Sequence, residues 1–117
     1  MDKNQLRGFY EVDINGQKIP TLLNLNAFRI LSEKEGIKLA EFDKQIQDNP
    51  LGFIPRVLYW GAVNWCQRTA KPVKNLPTFE LFASYTCENE ETLAQHAEAV
   101  ARVFGLDPDD KPEEAGN

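Results

Sequence analysis

The side chains able to do chemistry in this chain are few and far apart. His96 is the only histidine. It falls in the middle of a helical stretch, at the border of that stretch's apolar stripe, with Gln95 and Glu98 as polar neighbours. General acid–base work needs a nucleophile and an orienting group around the imidazole. No Ser-His-Asp or Cys-His motif is recognisable, so His96 reads as a surface or boundary histidine. Cys66 and Cys87 lack the CxxC or Cys/His spacing of a zinc site, and read as buried thiols. The carboxylate pairs Glu11/Asp13, Glu33/Glu35, Glu41/Asp43 and Glu90/Glu91 come next. Glu11 and Asp13 share one face of a strand, where acids resist edge-to-edge association. Asp107-Pro108-Asp109-Asp110 lacks the glycine and terminal glutamate of a calcium-binding loop. The glycines stand singly at turns and helix ends, apart from Gly61, so no phosphate-cradling loop is present. The expectation is a chain with no catalytic residues, no metal and no cofactor.

The totals point the same way. A chain of 117 residues, 42 % hydrophobic and 26 % charged, suits one ordinary core. The net charge is −5, and residues 107–117 hold five acids against one lysine, so the remainder is nearly neutral. Nucleic-acid binders draw much of their affinity from a basic surface, which is missing here. No apolar run reaches the roughly 20 residues of a membrane span, and the first residues lack the apolar stretch of a secretory signal. The expected compartment is the cytoplasm.

Stepping along the chain, Phe9 to Ile14 alternates Tyr10, Val12 and Ile14 with acids. Asn15-Gly16 follows, the pair that a type I′ turn favours, and Gln17 to Leu23 returns with Pro20 marking an edge or a break. Asn24 or Asn26 caps a helix from about Ala27 to Glu35, stopped by Gly36. A second helix spans about Leu39 to Gln47, with Leu39, Phe42 and Ile46 at helical spacing. Asn49-Pro50-Leu51-Gly52 breaks it.

The third helix, about Phe53 to Thr69, is the most informative segment. Phe53/Ile54, Val57/Leu58, Gly61/Ala62 and Trp65/Cys66 form one broad stripe, while Tyr59, Trp60 and Val63 lie outside it. Arg56, Asn64, Gln67 and Arg68 make its narrow polar side. Gly61 and Ala62 permit close approach of another backbone. Thr78 caps a helix from Phe79 to about Thr86, and Asn89 caps a last one from about Glu90 to Phe104. That helix buries Leu93, Ala97, Val100, Ala101 and Phe104. The reading is an α+β fold: an N-terminal β-hairpin packed against about five helices, one globular domain over residues 1–106 and a disordered acidic tail over 107–117.

The order of these segments resembles the phage tail assembly chaperones. The likeness is carried by the hairpin Tyr10-Glu11-Val12-Asp13-Ile14-Asn15-Gly16-Gln17-Lys18, by Asn26-Ala27-Phe28-Arg29-Ile30-Leu31-Ser32-Glu33-Lys34-Glu35-Gly36, and by the apolar helix from Phe53 to Thr69. It covers residues 8–106 in pattern and architecture, with no invariant chemical signature. What the resemblance implies is a non-catalytic protein of the bacterial host cytoplasm, encoded by a phage or prophage. Such a protein coats the tape-measure protein, keeps its apolar helical segments soluble, and helps recruit tail-tube subunits. A longer, frameshifted form often accompanies it.

A client-binding protein must leave apolar surface open, rimmed by polar groups. Tyr59, Trp60 and Val63, with Arg56 beside them, are the expected partner-binding residues, since Trp, Tyr and Arg are the types richest in binding hot spots. Trp65 belongs to the stripe and to the core. Self-association is a further expectation; nucleic acid and membrane are not. Three other readings compete: a structural virion protein of the tail or head–tail junction, a small enzyme working through His96 and a carboxylate, and a regulatory binding module.

Overall fold

The computed structural model describes residues 8–104. The acidic tail expected over 107–117 lies outside the described residues, as does Leu106. Two strands come first among the described residues: β1 (Phe9–Ile14) and β2 (Gln17–Leu22), antiparallel, with Ile14 opposite Gln17 and Phe9 opposite Leu22. Asn15 and Gly16 both take positive φ, 55° and 79°, as a type I′ turn requires. Asp13 Oδ1 accepts from Gly16 N at 2.9 Å and braces the turn. Pro20 sits within β2 opposite Glu11, which a two-stranded sheet tolerates because each strand has an open edge.

Five helices follow: α1 (Leu25–Glu35), α2 (Phe42–Asp48), α3 (Pro50–Arg68), α4 (Phe79–Thr86) and α5 (Glu90–Phe104). The fold is thus α+β, a hairpin packed on helices. α1 begins earlier than its apolar periodicity suggests, because Asn24 is the cap and its Oδ1 accepts from Ala27 N at 3.2 Å. Gly36, at φ 72°, ends it and returns its N–H to Ser32 O. Residues 39–47 do not form one helix. A 3₁₀ turn, Leu39–Glu41, precedes α2, with Glu41 Oε1 accepting from Lys38 N at 3.1 Å. The break at residues 49–52 shrinks to a joint at Asn49, because Pro50 is itself pre-set for a helix's first turn.

Pro55 therefore lies inside α3, where its missing N–H leaves the Leu51 carbonyl without its helical donor. The thiol of Cys87 donates to that carbonyl at 3.5 Å. α4 starts at Phe79, with Leu81 N donating to Thr78 Oγ1 at 3.2 Å. At the start of α5, Thr92 N donates to Asn89 Oδ1 at 2.8 Å.

α3 is the axis of the molecule, with β2, α1, α2, α4 and α5 all packed on it. Its Phe53, Ile54, Val57, Leu58 and Ala62 meet Val12 and Ile14 of β1, Leu31 of α1, Phe82 of α4 and Val100 of α5 in one core. Phe28, Phe42 and Phe53 run edge to face through it, with centroids 5.6 and 5.1 Å apart. Burying each such side chain contributes about 1.5–3 kcal/mol. At Gly61 the end of the hairpin packs close to α3: a Cβ there would stand 2.5 Å from Leu23 Cδ2 and 3.3 Å from Thr21 Cβ.

A helix surrounded on so many sides corrects several expectations about its faces. Val63 is buried at 5 % exposure, so it offers no surface to a partner. Asn64, read as polar-side, is 1 % exposed. Trp65, read as core, is half-buried at the end of the hairpin, edge-on to Phe9 at 5.3 Å. The thiols divide as well: Cys66 is buried and Cys87 only partly so.

Candidate functional site

Two surfaces stand out, one of them carrying the partner-binding residues expected on the third helix. Glu35, at the end of α1, reaches across to α3 and holds two of them. Its Oε1 pairs with Arg56 Nε at 3.3 Å and its Oε2 accepts from Trp60 Nε1 at 3.0 Å. Arg56 also donates to the Gly52 carbonyl, and its guanidinium lies 5.7 Å from the Phe79 ring centre. Tyr59 packs edge-on against Trp60, Phe79 and Phe82, at 5.0, 5.6 and 5.8 Å. Arg56, Tyr59 and Trp60 are thus brought together as a half-buried aromatic platform, each with its polar or ring surface partly engaged by α1 and α4. Val63 does not join them.

The second surface is a groove of about 770 Å³, within the range usual for ligand sites. Its walls come from four places: Phe9 and Tyr10 at the start of β1, Leu23 to Leu25 and Phe28 at the β2–α1 junction, Leu39, Phe42 and Asp43 around the 3₁₀ turn, and Ala99, Arg102 and Val103 at the end of α5. The floor is core, since Leu23, Phe28 and Phe42 are buried. The rim is different. Leu25 is 70 % exposed and Leu39 51 %. These two leucines stand at one groove with their side chains in water, which is the arrangement that partner docking relieves.

The polar groups of the floor are already occupied. Tyr10, raised in pKa by burial, has its phenol oxygen 2.7 Å from His96 Nδ1, with the rings edge to face at 5.7 Å. His96 is buried, and burial lowers its pKa, favouring the neutral imidazole. The lone histidine therefore joins α5 to β1, its Nδ1 and the Tyr10 phenol oxygen sharing one hydrogen bond. Asn24 Oδ1 accepts from both Ala27 N and Asn64 Nδ2. Such a floor offers hydrophobic contact and few open hydrogen-bonding groups, which suits side chains projecting from a helix whose backbone is already satisfied.

Among the described residues, no group of three or more His, Cys, Asp and Glu is placed to hold a metal ion. Nor is any helix long and apolar enough to cross a membrane. The groove residues were not legible as a set. Leu39 reads as part of a helical stripe, and Leu25 lies outside the helix that the apolar periodicity marks. The one usable signal was Asn24: as the cap it places Leu25 in the first turn, off the Ala27/Phe28/Ile30/Leu31 face. No family model, curated protein or solved structure matches this chain.

Proposed function

We propose that this chain is a non-catalytic client-binding protein, a phage tail assembly chaperone that shields apolar helical segments of the tape-measure protein in the bacterial cytoplasm. In that role it would also help tail-tube subunits gather around the client. The observation that carries the reading is the groove with Leu25 and Leu39 held open at its rim. Burying one leucine against a partner is worth about 1.5–3 kcal/mol, roughly one to two orders of magnitude in Kd. The order of elements, hairpin first and the long apolar helix at the centre, supports the same reading. The platform of Arg56, Tyr59 and Trp60 is a second contact surface in this proposal. It is secondary because the chain's own Glu35 already holds Arg56 and Trp60.

The test is capture of a tape-measure fragment in a pull-down by the wild type and by a Leu25→Asp/Leu39→Asp variant. The variant is expected to fold and to lose capture. Undiminished capture by the folded variant removes the groove from the proposal. Mass spectrometry of purified particles separates the chaperone from a structural tail component, since the chaperone is expected to be missing from the finished virion.

A further inference from the structure

Asn64 is a polar residue whose placement the chain's pattern does not explain: an amide on the long, largely buried α3, itself 1 % exposed. Its Nδ2 donates to Leu22 O and to Asn24 Oδ1, each at 2.9 Å. Its Oδ1 accepts from Asn26 Nδ2 at 2.7 Å. Donor and acceptor ends are both engaged, so burial leaves neither end of this amide unpaired.

The partners share one location. Leu22 ends β2, and Asn24 and Asn26 are the two neighbours of Leu25 in the chain. Leu23, Asn24 and Leu25 are a wall of the groove. Leu25 thus projects from a backbone whose flanking residues are both tied to one buried side chain on α3. A bound helix would meet a leucine carried on backbone already fixed, so the cost of ordering that backbone is met during folding instead of during binding.

We propose that Asn64 is a positioning residue for the groove, acting through Asn24 and Asn26 to fix how Leu25 meets a bound apolar helix. This inference rests on the groove being the client site. A purely structural Asn64 would affect binding only by weakening the whole fold, and that effect would be independent of Leu25. The two cases separate in a double-mutant cycle.

The probe is a fluorescein-labelled synthetic helix of alanine and lysine with leucines at i, i+3, i+4 and i+7, titrated by anisotropy against the full chain. Leu25→Ala is expected to weaken binding about tenfold, the share of a well-buried anchor. Asn64→Ala is expected to weaken it about fivefold in the wild-type background and less than about twofold once Leu25 is alanine, because coupled sites are not additive. Asn26→Ala removes one arm of the clamp from a half-buried position and serves if Asn64→Ala fails to fold; the same coupling to Leu25 is expected. Additive losses, with Leu25→Ala itself effective, overturn the role of Asn64 alone. If Leu25→Ala binds the peptide as tightly as the wild type, the groove is not the peptide site and both readings fall.

Discussion

The platform on α3 and the groove beside α1 are built from similar side chains, yet they stand in opposite states. Trp60 is large, flat and of the type that dominates binding interfaces, but Glu35 crosses from α1 to take its indole N–H. Leu25 is smaller and unremarkable by type, and it is 70 % exposed. Surface available to a partner is therefore decided by which neighbouring element passes over a residue, and hydropathy around one helix does not reveal that. An apolar face covered by its own chain adds stability. The same face uncovered is a site.

The largest effect expected from this contrast is on binding at the groove. Leu25→Asp with Leu39→Asp should lower client capture by well over tenfold while moving unfolding free energy by only about 0.5 kcal/mol per exposed site. Equilibrium urea unfolding beside the pull-down checks both halves. Trp60→Ala should invert the pattern. It removes a half-buried ring and its bond to Glu35, costing about 1–2 kcal/mol of stability, with capture reduced only severalfold.

The contrast sharpens further with pH, because Tyr10, which lines the groove, is hydrogen-bonded to His96. His96 has its pKa lowered by burial. As pH falls below about 6.5, the unfolded chain takes up a proton that the folded chain refuses. The stability due to neutral His96 is thus complete above that pH and declines as pH falls toward the folded value. Urea midpoints at pH 7.5 and 5.5 should show the decline, and His96→Leu should flatten its contribution to the slope. The smallest effect lies away from both surfaces. Ala70, just past the end of α3, takes φ 58° while Lys71 N donates to Cys66 O at 2.8 Å. Ala70→Gly should stabilise by a few tenths to about 1 kcal/mol, the relief of left-handed strain less the extra freedom of the unfolded chain. Thermal unfolding would register it, with peptide affinity unchanged.

Some of this was written locally. The hairpin turn needs two residues at positive φ, and Asn15-Gly16 supplies them; α4 and α5 begin where Thr78 and Asn89 cap them. Caps and turns are decided by the few residues that form them, so they are legible before any fold is known. Asn64, Val63 and His96 were not legible, since each owes its burial to elements distant in the chain. Asn64 meets residues about 40 positions away, and His96 meets Tyr10 at a separation of 86.

The sequence by itself determined the hairpin, the helices, their caps and the apolar axis of α3, because those depend on periodicity and on neighbours within a few residues. Only the tertiary structure decided that Glu35 covers the platform, that Asn64 holds the β2–α1 junction, and that Leu25 and Leu39 are left facing water across one groove. Packing partners distant in sequence set those outcomes, and no local pattern encodes which of two apolar surfaces a folded chain leaves open.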